Sequence, residues 1–179
     1  IDWRKRVGEE EANKITRKAT ARGTDFHQIC QDYLENKKIL TENYAPASPF
    51  MFNSVKGVLN NINNIHAIER TLYSEYFGLA GRVDCIAEYE GELAVIDFKT
   101  STKIKPESWL ENYFVQEVAY ACMYYEMTGI PVEKLITIMV TPDGEYHVFD
   151  KRNKGDYIKL LVRYIKEFVT FKLESNAKT

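Results

Sequence analysis

Hydrophobic and polar positions along this chain change their period part-way. From about Asp2 to Ala21, Trp3, Val7, Ala12 and Ile15 form a thin apolar stripe at helical spacing in a charged run. Gly23 interrupts the run, and Thr24 suits the cap of a second helix reaching about Asn36. Its inner face would be Phe26, Ile29, Cys30, Tyr33 and Leu34. Two prolines and small residues between Thr41 and Pro49 predict a loop. A third helix is expected over Pro49 to Asn63, with Phe50, Met51, Val55, Val58, Leu59 and Ile62 inside.

From His66 the period falls to two, which predicts a strand to about Phe77. Two alternating runs, Gly81 to Tyr89 and Glu92 to Lys99, then meet at Glu90-Gly91, a hairpin signal. Val83, Cys85, Ala87, Ala94, Ile96 and Phe98 share one face; Ile86 and Val95 lie on the other, so both faces are covered. Trp109 to Thr128 reads as a long helix stopped by Gly129 and Pro131. Leu135 to Thr141 is a strand that Pro142-Asp143-Gly144 turns back into Tyr146 to Phe149, and Tyr157 to Leu173 closes the chain as an amphipathic helix. No repeat or low-complexity tract interrupts this order. It predicts an α/β fold in a single domain over 1–179: a helical N-terminal part over 1–64, then a core over 65–179 with a central mixed β-sheet flanked by helices.

The hairpin also carries candidate chemistry. With Glu90 and Gly91 as the turn, Asp84 falls opposite Asp97, and Lys99 shares the face of Asp97. Opposed carboxylates repel, and charges within an apolar hairpin need partners or a metal. A hard divalent cation with oxygen ligands, Mg²⁺ or Mn²⁺, suits the pair, and a neighbouring lysine suits a phosphate or an attacking water. A structural Asp97–Lys99 ion pair is the rival reading; residues two apart on a strand are separated by roughly 6–7 Å, so a direct pair would be stretched.

Composition narrows the classes. The 179 residues have a 45% hydrophobic fraction, enough for a core, and a net charge of −2, which gives no global basic field. The three cysteines, Cys30, Cys85 and Cys122, are widely spaced and form no Cys-x-x-Cys pair. That argues against zinc, an iron–sulfur cluster and a disulfide framework, and for a reducing intracellular compartment. No apolar run is long enough for a bilayer and no signal peptide is visible, so no membrane partner is expected. The start at Ile1 reads as a fragment or a processed product.

Several further residues have two readings. Arg22, Arg82, Lys103 and Lys105 suit a basic rim for phosphates, with Arg82 facing Lys99 on the same register, or a solvated charged surface. Thr100 and Ser101 suit hydrogen bonds to a phosphate or the end of a strand. Trp109, Tyr113 and Phe114 suit base stacking or core packing, with packing expected for at least one.

Gly81-x-x-Asp84 followed by Asp97-Phe98-Lys99 resembles the core of the PD-(D/E)XK nuclease superfamily. Arg22-Gly23-Thr24-Asp25-Phe26-His27 resembles the Gly-x-x-x-His motif of its RecB-like branch, and Gln116-x-x-x-Tyr120 resembles that branch's downstream helical motif. Arg-Gly-Thr-x-x-His, Val-Ile-Asp-Phe-Lys-Thr-Ser and the opening Trp-Arg-Lys-Arg-Val-Gly are most similar to the mitochondrial genome maintenance exonuclease group and its phage relatives. The motifs keep the family order over residues 22 to 120.

The resemblance implies a restriction-endonuclease-like core and metal-dependent phosphodiester hydrolysis. Asp84, Asp97 and the Phe98 backbone carbonyl would hold one or two Mg²⁺ or Mn²⁺ ions, with His27 assisting and Glu75 a further candidate. Lys99 would orient or deprotonate the water, or act only as an electrostatic clamp. Gln116 would touch the Lys99 or metal neighbourhood, and Tyr120 the DNA backbone. Single-stranded DNA digested from an end is the implied substrate, threaded through an arch of helices to which residues 41 to 64 are candidates. Replication or recombination proteins are implied partners, and the bacterial or phage-infected cytoplasm or the mitochondrial matrix the implied location. Two other classes compete: an inactive nuclease-fold module that binds DNA or protein, and a structural domain whose acidic pair binds a stabilising cation.

Overall fold

The computed structural model describes residues 3–176. Its elements run α1 (Trp3–Val7), α2 (Glu9–Leu34), α3 (Ala47–Leu59), β1 (Ile62–Ser74), β2 (Leu79–Tyr89), β3 (Glu92–Thr100), α4 (Glu111–Thr128), β4 (Lys134–Val140), β5 (Tyr146–Lys151) and α5 (Lys154–Asn176). The five strands form one sheet in chain order: β1, β2 and β3 antiparallel, β3 and β4 parallel, β4 and β5 antiparallel. The parallel step is bridged by α4, as a crossover requires.

The two faces of the sheet have different covers. α2 supplies Phe26, Ile29, Cys30 and Leu34, and α3 supplies Met51, Phe52, Val55, Val58 and Leu59, against Cys85, Ala87, Ile96, Phe98, Ile136 and Ile138. α4 and α5 cover the other face, with Val118, Ala119, Tyr120, Met123 and Leu161 against Leu72, Val83, Ile86, Val95 and Leu135. Every residue of β4 is buried, which explains its continuous apolar run. No helix of the described residues is long and apolar enough to cross a membrane.

The hairpin turn forms at the expected place. Glu90 and Gly91 both have positive φ, 54° and 83°, as a two-residue hairpin loop of the tightest kind requires, and Tyr89 pairs with Glu92 around it.

Elsewhere local signals are overruled. Residue 2, where the first helix was expected to start, lies outside the described residues. The break falls at Gly8, whose φ is 85°, and from Glu9 the helix runs through Gly23 and Thr24 without interruption. Gly23 allows close packing instead of ending the helix: a Cβ there would sit 3.3 Å from Thr100 Oγ1 at the end of β3. α3 begins at Ala47 and ends at Leu59, so Ile62 and Asn63 belong to β1. Phe52 takes the inward place expected for Phe50, which stays exposed and lies over Gly144 in the β4–β5 turn. Because α3 is packed into the core, it is not part of an open arch over the sheet. α1 and the first half of α2 stay largely uncovered: among the described residues, Ala12 is the one buried residue before Phe26.

Candidate active site

The central feature is a fork in the sheet. β2 and β3 pair from Tyr89↔Glu92 to Cys85↔Ile96, and the ladder stops there. Beyond that point β2 stays with β1 as far as Ser74↔Leu79, while β3 stays with β4 as far as Thr100↔Val140. Asp84 and Asp97 occupy the first step past the last pair. Here the Phe98 N–H donates to Asp84 Oδ2 at 2.8 Å. The in/out alternation of β2 slips at the same residue: Val83 joins the α4-side core, whereas Cys85 joins the α2-side core. The expectation that Val83 and Cys85 share a face fails for this reason.

A third carboxylate completes a row across three strands. Ile68↔Cys85 and Arg70↔Val83 flank the position where Glu69 meets Asp84. Glu69 has a positive φ of 45°, an uncommon conformation for a side chain of its size. Glu69, Asp84 and Asp97 therefore lie in sequence across β1, β2 and β3. His27 comes down from α2, its Nδ1 3.5 Å from Asp84 Oδ2. Lys99 Nζ lies 2.5 Å from Asp97 Oδ2, closer than strand spacing alone suggests, because the long side chain folds back. It also reaches Gln116 Oε1 on α4 at 3.4 Å, and Gln116 Nε2 donates to the Tyr120 hydroxyl at 3.3 Å.

Charge crowding shows in the titration of these groups. Burial, together with the Asp84 charge, raises the Asp97 carboxyl to about 6 despite Lys99. Burial and the Asp84 charge also raise Glu69, against the pull of Arg82. Burial lowers both His27 and Lys99, but their carboxylate neighbours outweigh it and both end raised. This is the pattern of a site with surplus negative charge.

The remaining candidates separate. Arg82 turns away from Lys99 once the strands part, and binds the Glu69 carboxylate at 2.8 Å and its backbone oxygen at 3.0 Å. Thr100 ends β3 beside Gly23, and Ser101 donates its N–H to Val140 O. Arg22 is half-buried, with its Nε lacking a hydrogen-bond partner. Lys103 is exposed in the loop after β3, and Lys105 donates to the Tyr113 hydroxyl at 3.0 Å. Phe114 is core, Tyr113 lies beneath both Lys99 and Lys105, and Trp109 is exposed. Glu75 sits in the turn after β1, exposed, its N–H bonded to Glu126, and is not among the groups at the fork.

Two residues at the fork escaped sequence reasoning. Glu69 becomes visible only with the β1–β2 register: a four-residue turn at 75–78 sets it against Asp84. Glu117 is fully buried beside Gln116, hydrogen-bonded through one oxygen to Thr137. Its position next to a functional motif carries no signal of its own.

The donor set fits a hard cation. One ligand atom each from His27, Glu69 and Asp84 lie within 4.8 Å of one another. Two oxygens and an imidazole nitrogen, with Asp97 adjoining, suit Mg²⁺ or Mn²⁺. These three residues line a pocket together with the polar and charged side chains of Thr24, Gln31 and Arg82.

A family model described as the PD-(D/E)XK nuclease superfamily matches residues 3–168. The chain belongs to the PD-(D/E)XK nuclease superfamily. Among curated relatives, the human mitochondrial genome maintenance exonuclease 1 (Homo sapiens) is 32% identical over 125 residues, covering 66% of this chain and 36% of that protein. The protein of the same name from Mus musculus is 32% identical over 108 residues, covering 58% and 32%. The chain thus spans about a third of the length of these curated relatives. A solved structure of a candidate exonuclease from Eubacterium rectale superposes with a TM-score of 0.51 at 10% identity, covering 74% of this chain and 54% of that one. That likeness concerns the fold alone.

Proposed function

We propose that this PD-(D/E)XK domain is a divalent-cation-dependent deoxyribonuclease that hydrolyses phosphodiester bonds in single-stranded DNA from an end. The observation that carries the reading is the row Glu69, Asp84 and Asp97, flanked by His27 and Lys99 where the sheet forks. Three carboxylates across adjacent strands are mutually repulsive, and a bound cation turns that repulsion into coordination.

Glu69, Asp84 and His27 would hold Mg²⁺ or Mn²⁺, with Asp97 completing the negative wall. When bound, the ion supplies positive charge against the phosphate and the acidity that makes water a nucleophile. The chain's own groups do the rest. Lys99, held between Asp97 and Gln116, presents its amine to the phosphate and stabilises charge that develops there. Gln116 fixes Lys99 from α4, and Tyr120 fixes Gln116. The Asp84–Phe98 hydrogen bond keeps the two strands at the spacing that holds the carboxylates together.

The exonuclease and single-strand parts of this reading draw on the names of the curated relatives and on the motifs of residues 22 to 120. A role in DNA replication, recombination or repair, inside a cell or organelle, is proposed on the same basis. Single strands labelled at one end and blocked at the other test this reading. With Mn²⁺, release of mononucleotides from the open end alone is expected; internal cuts in strands blocked at both ends would make the enzyme an endonuclease, and a loss of all cutting only with chelator would confirm the cation requirement.

A further inference from the structure

The fork opens onto two cavities with different linings. On the α2 side lies the pocket whose lining includes the charged and polar side chains of His27, Glu69 and Asp84. On the α4 side lies a groove of about 320 Å³, mostly apolar, lined by Leu79, Gly81, Ala119, Met123, Leu161 and Tyr164, with Asn112 and Gln116 among its polar residues. Gln116 belongs to the groove and also touches Lys99, so the groove begins one side chain from the ion pair with Asp97.

We propose that this groove is a nucleobase site, which receives the base of a nucleotide next to the phosphate being cut. The inference rests on the nuclease reading above and assigns the substrate a second point of attachment. A phosphate at Lys99 lies one side chain, Gln116, from this groove, so the base it carries through its sugar is within reach of it. The neighbouring surface on that side is apolar and contains the rings of Tyr120 and Tyr164. Stacking and apolar contact suit the π-face of any base, so such a site binds without demanding a sequence. Asn112 and Gln116 supply amides that can donate to or accept from a base edge.

Gly81 keeps the groove in shape. A Cβ at that position would stand 2.9 Å from Tyr120 Cε1, so the first half of β2 approaches the tyrosine ring more closely than a larger residue allows. Tyr164 forms the outer wall and is held there by its hydroxyl, which donates to Glu111 at 3.0 Å.

Short single strands carrying 2-aminopurine, or lacking a base, at successive positions from the end test the site. They are bound to the full chain with Asp84→Asn, so that binding is read without cutting. One position is expected to change fluorescence, and removing the base there to weaken Kd about tenfold. Ala119→Leu, which fills the groove, and Tyr164→Ala, which removes its wall, should each abolish that difference while strands lacking the base bind as before. Equal Kd with and without the base at every position overturns the proposal, as does base dependence that survives both variants. An apolar protein segment as the true occupant would give the first of these results. If the wild-type chain cuts no strand while base-dependent binding persists, the nuclease reading fails and the base site stands; cutting without base dependence gives the reverse.

Discussion

The Phe98 amide donates to the Asp84 carboxylate where a backbone carbonyl would otherwise close the ladder between β2 and β3. One side chain thereby does two jobs: it satisfies an amide that the fork leaves without a strand partner, and it carries charge into the row with Glu69 and Asp97. Substitutions can separate the two. Asp84→Asn keeps an oxygen for Phe98 and relieves repulsion, so the melting temperature in chelator should stay level or rise. Asp84→Ala leaves the amide without its acceptor and should lose about 1–3 kcal/mol. Both should lose the stabilisation that Mn²⁺ gives the wild type. Thermal melts of the three proteins with and without Mn²⁺ check this.

β1 and the turn that follows it carry Glu69 and Glu75, and of these two only Glu69 reaches the fork. Glu69→Gln should weaken Mn²⁺ binding by about tenfold or more, the scale seen when groups around a metal are altered. Glu75→Gln should bind as the wild type does. Calorimetric titration of the two variants gives the comparison, and equal affinities would exclude Glu69 as a ligand.

How much of this was legible beforehand depends on which contacts are local. The Glu90-Gly91 turn set the β2–β3 register, and from it the approach of Asp84 to Asp97 and the position of Lys99 followed. That same register, extended past the point where the strands part, puts Arg82 in the wrong place, and no local pattern marks that point. Glu69 was missed because the β1–β2 register depends on a longer turn, Glu75 to Gly78, and on an unusual φ inside a strand. Gly23 resembles a helix stop in the sequence because its real reason, the close passage of Thr100, is a tertiary contact. The closeness of His27 to the carboxylates came from the motif resemblance; periodicity alone leaves it an ordinary helix residue.

Glu117 makes stability depend on pH. Its carboxyl is raised well above the ordinary range by burial and by the Asp97 charge, although Thr137 opposes this. The folded chain therefore holds a proton that the unfolded chain releases above the ordinary carboxylate range. Stability from this group is full below that range and is lost as pH rises towards the raised value, by at most about 1.4 kcal/mol per pH unit. Glutamine mimics the protonated form without that dependence. Glu117→Gln should gain more melting temperature over the wild type at pH 8 than at pH 5; an equal gain at both would show that Glu117 is ionised throughout.

Gly81 and Tyr120 form a coupled pair. Gly81→Ala should destabilise the chain by about 1–3 kcal/mol, since the new Cβ meets the Tyr120 ring. The same change in a Tyr120→Ala background should have much less effect. A double-mutant cycle by denaturant unfolding measures the coupling.

Lys99 bears on the central claim most directly. The measurement is cation-dependent release of nucleotides from labelled single-stranded DNA by wild type and by folded, equally stable Lys99→Ala. The wild type should cut with Mn²⁺ or Mg²⁺ and stop in chelator, and the variant should be slower by about a hundredfold or more. Cutting by Lys99→Ala at the wild-type rate, or wild-type cutting that continues in chelator, would contradict the assignment of this fork as the active site.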